Sequence, residues 1–509
     1  MEQMNHNFNM SPQGWEVPQT PPPAAAFPTG KKEGIFGLLI SVFGLMLCNS
    51  ILFGGFQLGF AVFAPICIAC GTVYLLSSGC RLTPYSGAIL ALCLLIAAAF
   101  ARTDDIFVKF VMTWFLAVGV NLGLCLLAGQ NRQSPDGVAS LLDAPRAAFT
   151  LGIGKLSQSL RGVRDAFHRG GRFAKKGAAV LMGLGIALVL LCVMIPLLTS
   201  ADAAFDGLVR KLPRLDIGEI VTTLILGSIL VGFLYSRGVA LRHAPKEEAA
   251  AKSQRKGLNI LTVNTALTAV ALVYLVYLIS QLSYLSGGFA GILPAGFTRA
   301  QYARRGFFEM AVLCGMNLGI IALAVGLVAK KDRAPKSTRL LCLFIGAVTL
   351  FLVATASAKM VFYIQGFGLT RLRVLTQVVT VFFGIATALV MVWLFVPKLP
   401  YMKAIFLAAL IIGCAVIWAD VDTVVARYNV TAYQSGVLET VDVEYLAWYL
   451  GDGAVPYLAE LTEDADPQVA EQARAYLEDR GTYSGGDLRG WNYVSYVAEE
   501  LLKGLYGAD

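Results

Sequence analysis

Apolar residues fall in long runs along this chain, and polar residues gather between them. Runs of roughly 18 to 25 apolar residues suit helices that cross a bilayer. None shows the ten-residue alternation of a membrane β-barrel. About eleven runs can be read. The first four are Gly34 to Phe53, Phe56 to Leu76, Pro84 to Phe100 and Ile106 to Ala128. The fifth to seventh are Gly177 to Leu198, Ile217 to Tyr235 and Leu258 to Leu282. The eighth follows an arginine-rich start inside Gly296 to Leu327, and the last three are Leu340 to Met360, Val374 to Val396 and Ala404 to Ala419. The pattern predicts an all-α fold: a polytopic membrane protein of about eleven transmembrane helices with a small C-terminal helical soluble domain.

The same pattern divides the chain. Residues 1–30 are a Pro-rich arm, expected to be disordered and not to act as a cleaved signal peptide. Residues 31–128 form a first block of four helices, and 129–176 a long basic loop. Residues 177–420 form a second block of about seven helices, and 421–509 an acidic tail. Within the loop, Leu151, Ile153, Leu156 and Leu160 recur beside basic residues. That predicts an amphipathic helix, either lying on anionic lipid or serving as a solvated connector. In the tail, Val441 to Arg480 reads as short helices resembling one HEAT-type pair, with Asp466 capping a helix that starts at Pro467. Trp491 to Leu505 reads as a last amphipathic helix with Tyr493, Val497, Leu501 and Leu505 on one face.

Composition fits a membrane protein: 57% hydrophobic, 15% charged, where soluble chains have about 25% charged. The net charge of +8 hides a segregation. The loops at 129–176, 237–256 and 330–339 are basic, while the tail from Val421 carries 16 acids against five Lys or Arg. Positive loops stay cytoplasmic, so the expected N-terminus is cytoplasmic and the tail extracytoplasmic. Basic loops here signal topology rather than nucleic acid. All ten cysteines precede the tail, which excludes a disulfide-stapled external domain. The histidines, His6, His168 and His243, lie outside the apolar runs, so no histidine metal site is expected within the membrane.

Charges at helix ends supply the candidate chemistry. Lys109, Glu309, Lys359, Arg371 and Arg373 all fall at the expected extracytoplasmic ends, with Arg304 and Arg305 just ahead of Glu309. Asp202 and Asp206 belong to the same side. One reading pairs Glu309 with Lys359 or Arg371 in a polar pocket for an anionic head group or cell-wall precursor. The other makes these residues interfacial anchors. Asn121, Asn264, Asn317 and Gln377 lie deeper, where amides bond across helices. Cys67 and Cys70 form CxxC inside an apolar run and read as packing residues. Asp420 and Asp422 resemble a metal-binding DxD at the membrane exit, and Asn429 opens a chance sequon. HExxH, Walker A and GxSxG are absent.

Several stretches together resemble a known family. They are LLTSADAAFDGLV at 197–209, YARRGFFEMAVLCGMNL at 302–318, YIQGFGLTRLRVLTQ at 363–377, VARYNV at 425–430, VDVEYLAWYLGDGAVPYLAEL at 441–461 and WNYVSYVAEELL at 491–502. The family is the bacterial multi-pass membrane proteins of domain of unknown function 4153 and its sister 4173, and the resemblance spans about 180 to 505. It implies a bacterial inner-membrane protein and lends no activity. The expected function is a non-enzymatic envelope sensor or scaffold, with no cofactor. The alternative is a transporter, or a handler of lipid or cell-wall precursor, using the polar pocket. Expected partners are the lipid bilayer, anionic lipids at the basic loop and an envelope protein at the tail, and no nucleic acid.

Overall fold

The computed structural model describes residues 27–132, 141–169, 216–245, 258–288, 307–328, 335–480 and 488–507, plus isolated positions between 183 and 198. Most of residues 1–30, the fifth expected span, and the positions of Asp202, Asp206, Arg304 and Arg305 lie outside that set.

Among the described residues, ten helices are long and apolar enough to cross a membrane. They are α1 (Lys31–Gly54), α2 (Leu58–Ser77), α3 (Pro84–Ala98), α4 (Ile106–Ala128), α6 (Ile217–His243), α7 (Ile260–Gly288), α8 (Phe307–Val328), α9 (Lys336–Phe367), α10 (Arg371–Phe395) and α11 (Tyr401–Ala419). Between α4 and α6 lies α5 (Leu156–Arg169), entered through a π-helical stretch at Ala147–Ile153. The molecule is an all-α polytopic membrane protein, and the described part contains no strand.

Several helices outrun their apolar stretches. No breaker intervenes after Met360, so α9 continues to Gly368, whose φ of 70° ends it in the left-handed region. Likewise α6 runs on to His243, which places that histidine on the last turn of a span, not in a loop.

Among the described residues, two apolar cores fill the membrane part. One joins α1–α4, α6 and α11 around Ile89, Cys93, Ile96 and Leu410, all fully buried. The other joins α7–α10 around Cys314, Ile345 and Leu352. Helix α11 is the seam: Trp418 Nε1 donates to Leu95 O at 3.1 Å on α3, and the Tyr401 ring lies tilted 4.4 Å from that of Trp393 on α10. Close approach between α3 and α4 requires Gly119, where a Cβ would stand 2.5 Å from Cys93 Sγ. Three of the four deep amides bond across helices. Asn317 accepts from Tyr274 at 2.7 Å and donates to Thr349 at 2.9 Å; Asn264 joins Ser337 and Thr338; Gln377 joins Ser357. Asn121 instead donates to Ala117 O on its own helix.

The tail folds as α12 (Val421–Gln434), α13 (Val443–Tyr449), a 3-10 turn at Gly451–Ala454, α14 (Val455–Leu461), α15 (Pro467–Arg480) and α16 (Tyr493–Tyr506). Its own core includes Val425, Val430, Leu446, Leu450, Leu458 and Leu477, each fully buried. The buried stripe of α16 is Val494, Ala498 and Leu502, one residue off the expected face. Tyr493 turns outward because the Arg102 guanidinium sits 4.5 Å over its ring.

The C-terminal domain sits on the membrane bundle. Leu58 N–H donates to Trp491 O at 3.0 Å, at the start of α2. Arg489 pairs with Glu219 near the start of α6 and donates to Asn49 at 2.5 Å near the end of α1. At the far end of α1, Glu33 meets Arg242 and His243 at the end of α6. The start of α1 and the C-terminal domain are therefore at opposite ends of the bundle.

Candidate functional site

Charged side chains meet where the domain sits on the bundle. Asp105 is the N-cap of α4, and its Oδ1 accepts from Phe107 N at 2.8 Å and Val108 N at 3.1 Å. Its Oδ2 stands 3.2 Å from Arg371 Nε. Arg371 is the first residue of α10, aimed at the domain because Thr370 caps that helix. Its Nε donates to Asp422 Oδ1 at 2.7 Å and its Nη2 to Asp422 Oδ2, a bidentate fork. The same Nη2 reaches Tyr449 O at 2.8 Å, and the Arg371 N–H donates to Tyr445 Oη at 2.9 Å. One arginine thus ties α4, α10, α12 and α13.

A second layer lies beside it. Lys109, one turn into α4, is buried and donates to Gln57 Oε1, with Asp104, Asp105 and Asp420 as its charged neighbours. Asp420 joins α11 to α12 with no linker, at φ 52°, a left-handed backbone that costs a non-glycine residue energy. Side-chain bonds hold it there: Oδ1 accepts from Thr103 Oγ1 at 2.5 Å and Oδ2 from Thr423. Asp104 Oδ2 accepts from Asp452 N at 3.2 Å, and Asp452 pairs with Arg480. Gly451 has φ 56°, and a Cβ there would meet Asp104 Oδ2 at 2.7 Å, so only glycine fits.

Five carboxylates (Asp104, Asp105, Asp420, Asp422 and Asp452) thus gather near three cations (Lys109, Arg371 and Arg480). The imbalance shows in the acids outside the spans. Burial pushes the Asp422 carboxyl up to about 7, against the pull of Arg371 and with the push of Asp105 and Asp420. Burial and the Asp452 charge raise Asp104 as well. The Thr103 and Thr423 hydroxyls donate to the Asp420 carboxylate within this arrangement. It neutralises charge and fixes geometry, and among the described residues no group of three His, Cys, Asp or Glu could hold a metal ion.

The expected site residues divide. Lys109 and Arg371 come together beneath the domain. Arg373 instead bonds Phe367 O at 2.9 Å and Gly368 O, closing α9, and lies 4.1 Å from the Tyr363 ring. Lys359 is half-buried inside α9, and Glu309 is exposed on the first turn of α8. Of the two cations expected to pair with Glu309, Lys359 or Arg371, the second meets Asp422 and Asp105, which the fold brings to it from both sides. Asp420 and Asp422 face different partners rather than one ion. Asn429, the sequon residue, is buried and makes both backbone bonds to Leu369, at 2.6 and 2.8 Å. Sequence reasoning passed over Asp104, Asp105, Asp452 and Arg480. Two adjacent acids before an apolar run, Asp104 and Asp105, were the available signal.

A family model described as domain of unknown function (DUF4153) matches residues 88–461, from α3 to the end of α14. No curated protein and no solved structure matches the chain.

Proposed function

The chain belongs to the DUF4153 family, and on that premise we propose that it is a non-enzymatic scaffold or sensor of the bacterial cytoplasmic membrane. Its N-terminus is cytoplasmic, and its C-terminal domain faces the envelope and receives a protein partner there. The observation that carries this reading is the Arg371 fork to Asp422, set against Asp105. Bidentate, and buried on its carboxylate side, it holds the domain on the bundle, and a fixed platform suits presentation to a partner. Trp448, Tyr449 and Val437 are exposed on the domain surface. The rival, a carrier of solute, lipid or cell-wall precursor, needs a polar pocket at this end. Lys109 and Arg371, two of its expected lining residues, are engaged in the joint.

Two measurements test the proposal. Single cysteines replacing Ser435 and Ser157 in a cysteine-free background should label from outside at position 435 only. A photo-crosslinker at Trp448 in intact cells should give one discrete protein adduct that Arg371→Ala removes. Reversed labelling would leave the envelope-scaffold reading without support, and adducts to lipid alone together with Glu309-dependent solute flux in proteoliposomes would favour the carrier.

A further inference from the structure

The C-terminal domain keeps few cations for its own acids. From Val421 on, the chain has 16 acids and five Lys or Arg. Three of the five are paired with carboxylates: Arg480 with Asp452, Lys503 with Glu499 and Glu500, and Arg489 with Glu219 of the bundle. A fourth, Arg474, donates to Thr462 O. The acids are left in excess, and a surface with that balance draws a cationic partner and repels an anionic one.

One part of this surface also carries aromatic rings. Helix α13 buries Val443, Leu446 and Ala447. Helical phase therefore turns Trp448 outward, where it is 66% exposed. Its indole stands 5.5 Å from the Tyr476 ring on α15, edge to face at 77°. That contact holds the indole in place and leaves most of it open to solvent.

Carboxylates flank the ring pair. Glu444 lies four residues before Trp448, one turn back on the same side of α13. Asp479 lies three residues after Tyr476, one turn on along α15. Both are exposed, and neither is in an ion pair among the described residues. Arg480, next to Asp479 in sequence, is taken by Asp452. An indole face attracts a cation within about 6 Å, most often a guanidinium. Carboxylates beside it supply the hydrogen bonds that a guanidinium or ammonium needs.

We propose that Trp448 and Tyr476, with Glu444 and Asp479, receive an arginine or lysine side chain from a basic segment of the partner protein. The site deepens the scaffold reading and rests on it for the existence of that partner. Lipid phosphate is the wrong occupant, because these carboxylates repel it.

The test uses the purified full chain in phosphatidylcholine nanodiscs, with synthetic peptides as probes in calorimetric titration. A hexa-arginine peptide should bind, hexa-lysine should bind more weakly, and a neutral Gly-Ser peptide should not bind. Trp448→Leu should weaken hexa-arginine binding by about fivefold or more. Glu444→Gln with Asp479→Asn should weaken it by roughly tenfold and make it less sensitive to salt. All three positions are on the surface, and an unchanged Tm would show that the domain still stands. Equal hexa-arginine binding by the parent and both variants overturns the proposal, because the peptide then reads only the overall acid excess. Equal binding of the Gly-Ser peptide overturns it too. In cells the two claims separate. A protein adduct at position 448 that persists undiminished in Glu444→Gln with Asp479→Asn keeps the scaffold and removes this site. Peptide binding as expected, with no adduct in cells, supports this site and counts against the scaffold.

Discussion

Replacing Arg371 with alanine would leave the Asp105 and Asp422 side chains, each 1% exposed, with no cation between them. Breaking one side of a buried ion pair costs about 3–5 kcal/mol. Arg371→Ala should therefore lower stability by about that amount in denaturant titration, and Arg371→Lys by less, since lysine keeps the charge and loses the fork. Asp422 should behave differently. Its carboxyl is raised from 3.8 to about 7, so the folded state holds the proton more tightly than the unfolded chain. Its contribution to stability is then greatest below about pH 4 and falls as pH rises toward 7. Asp422→Asn should flatten that slope, and the variant should gain on the parent as pH rises from 5 to 8. Parallel unfolding curves for the two proteins across that range would contradict the assignment. Lys109 and Arg371 were visible in the sequence as cations beside apolar runs. Asp420 and Asp422 were visible too, but as a DxD pair; their meeting with these cations was not, because α4, α10 and α12 come together only in the fold, as Asp452 reaches Asp104 across 348 residues.

Helices of this chain are legible wherever hydropathy and punctuation agree. The expected and observed bounds of α4 coincide, with Asp105 at its start, and those of α2 and α11 differ by a few residues, with Gly55 closing α1 ahead of α2 and Asp420 closing α11. The elements that departed did so for local reasons. Helix α9 lacks a breaker before Gly368, and α16 turned by one residue to set Tyr493 under Arg102. Between helices, the polar triad of Tyr274, Asn317 and Thr349 locks α7, α8 and α9 together. Asn317→Leu would strand the Tyr274 hydroxyl in an apolar core. It should cost about 1–2 kcal/mol, in line with interhelical hydrogen bonds in membranes. Adding Tyr274→Phe should recover part of the loss, because the stranded hydroxyl goes with it. Additive losses in the double variant would show that the two side chains act separately.

The whole molecule is tied at one end through residues distant in sequence, so the domain and bundle should unfold in a single transition. Arg489→Ala should loosen only the α16 side of the seat. The ion pair with Glu219 is partly exposed, so the expected stability loss is about 1 kcal/mol or less. Limited proteolysis should nonetheless cut near Trp491 faster than in the parent, while sites in α12 stay protected by the Arg371 fork. Equal cutting at both places would mean that the seat is not divided this way. Fold class and helix order could be read from the chain, because each span carries its own apolar signal. The seating of the domain could not, because it depends on contacts between α1, α6 and the last helices.

That seating also has a consequence in time. Asn49 waits 440 residues for Arg489, and Leu58 for the carbonyl of Trp491. A ribosome making this protein releases α1 and α2 into the bilayer long before their partners exist. Until synthesis reaches Trp491, the polar ends of those helices face solvent or borrowed company. A nascent chain stalled before Arg489 would carry an unfinished seat, the kind of surface that chaperones and membrane proteases inspect.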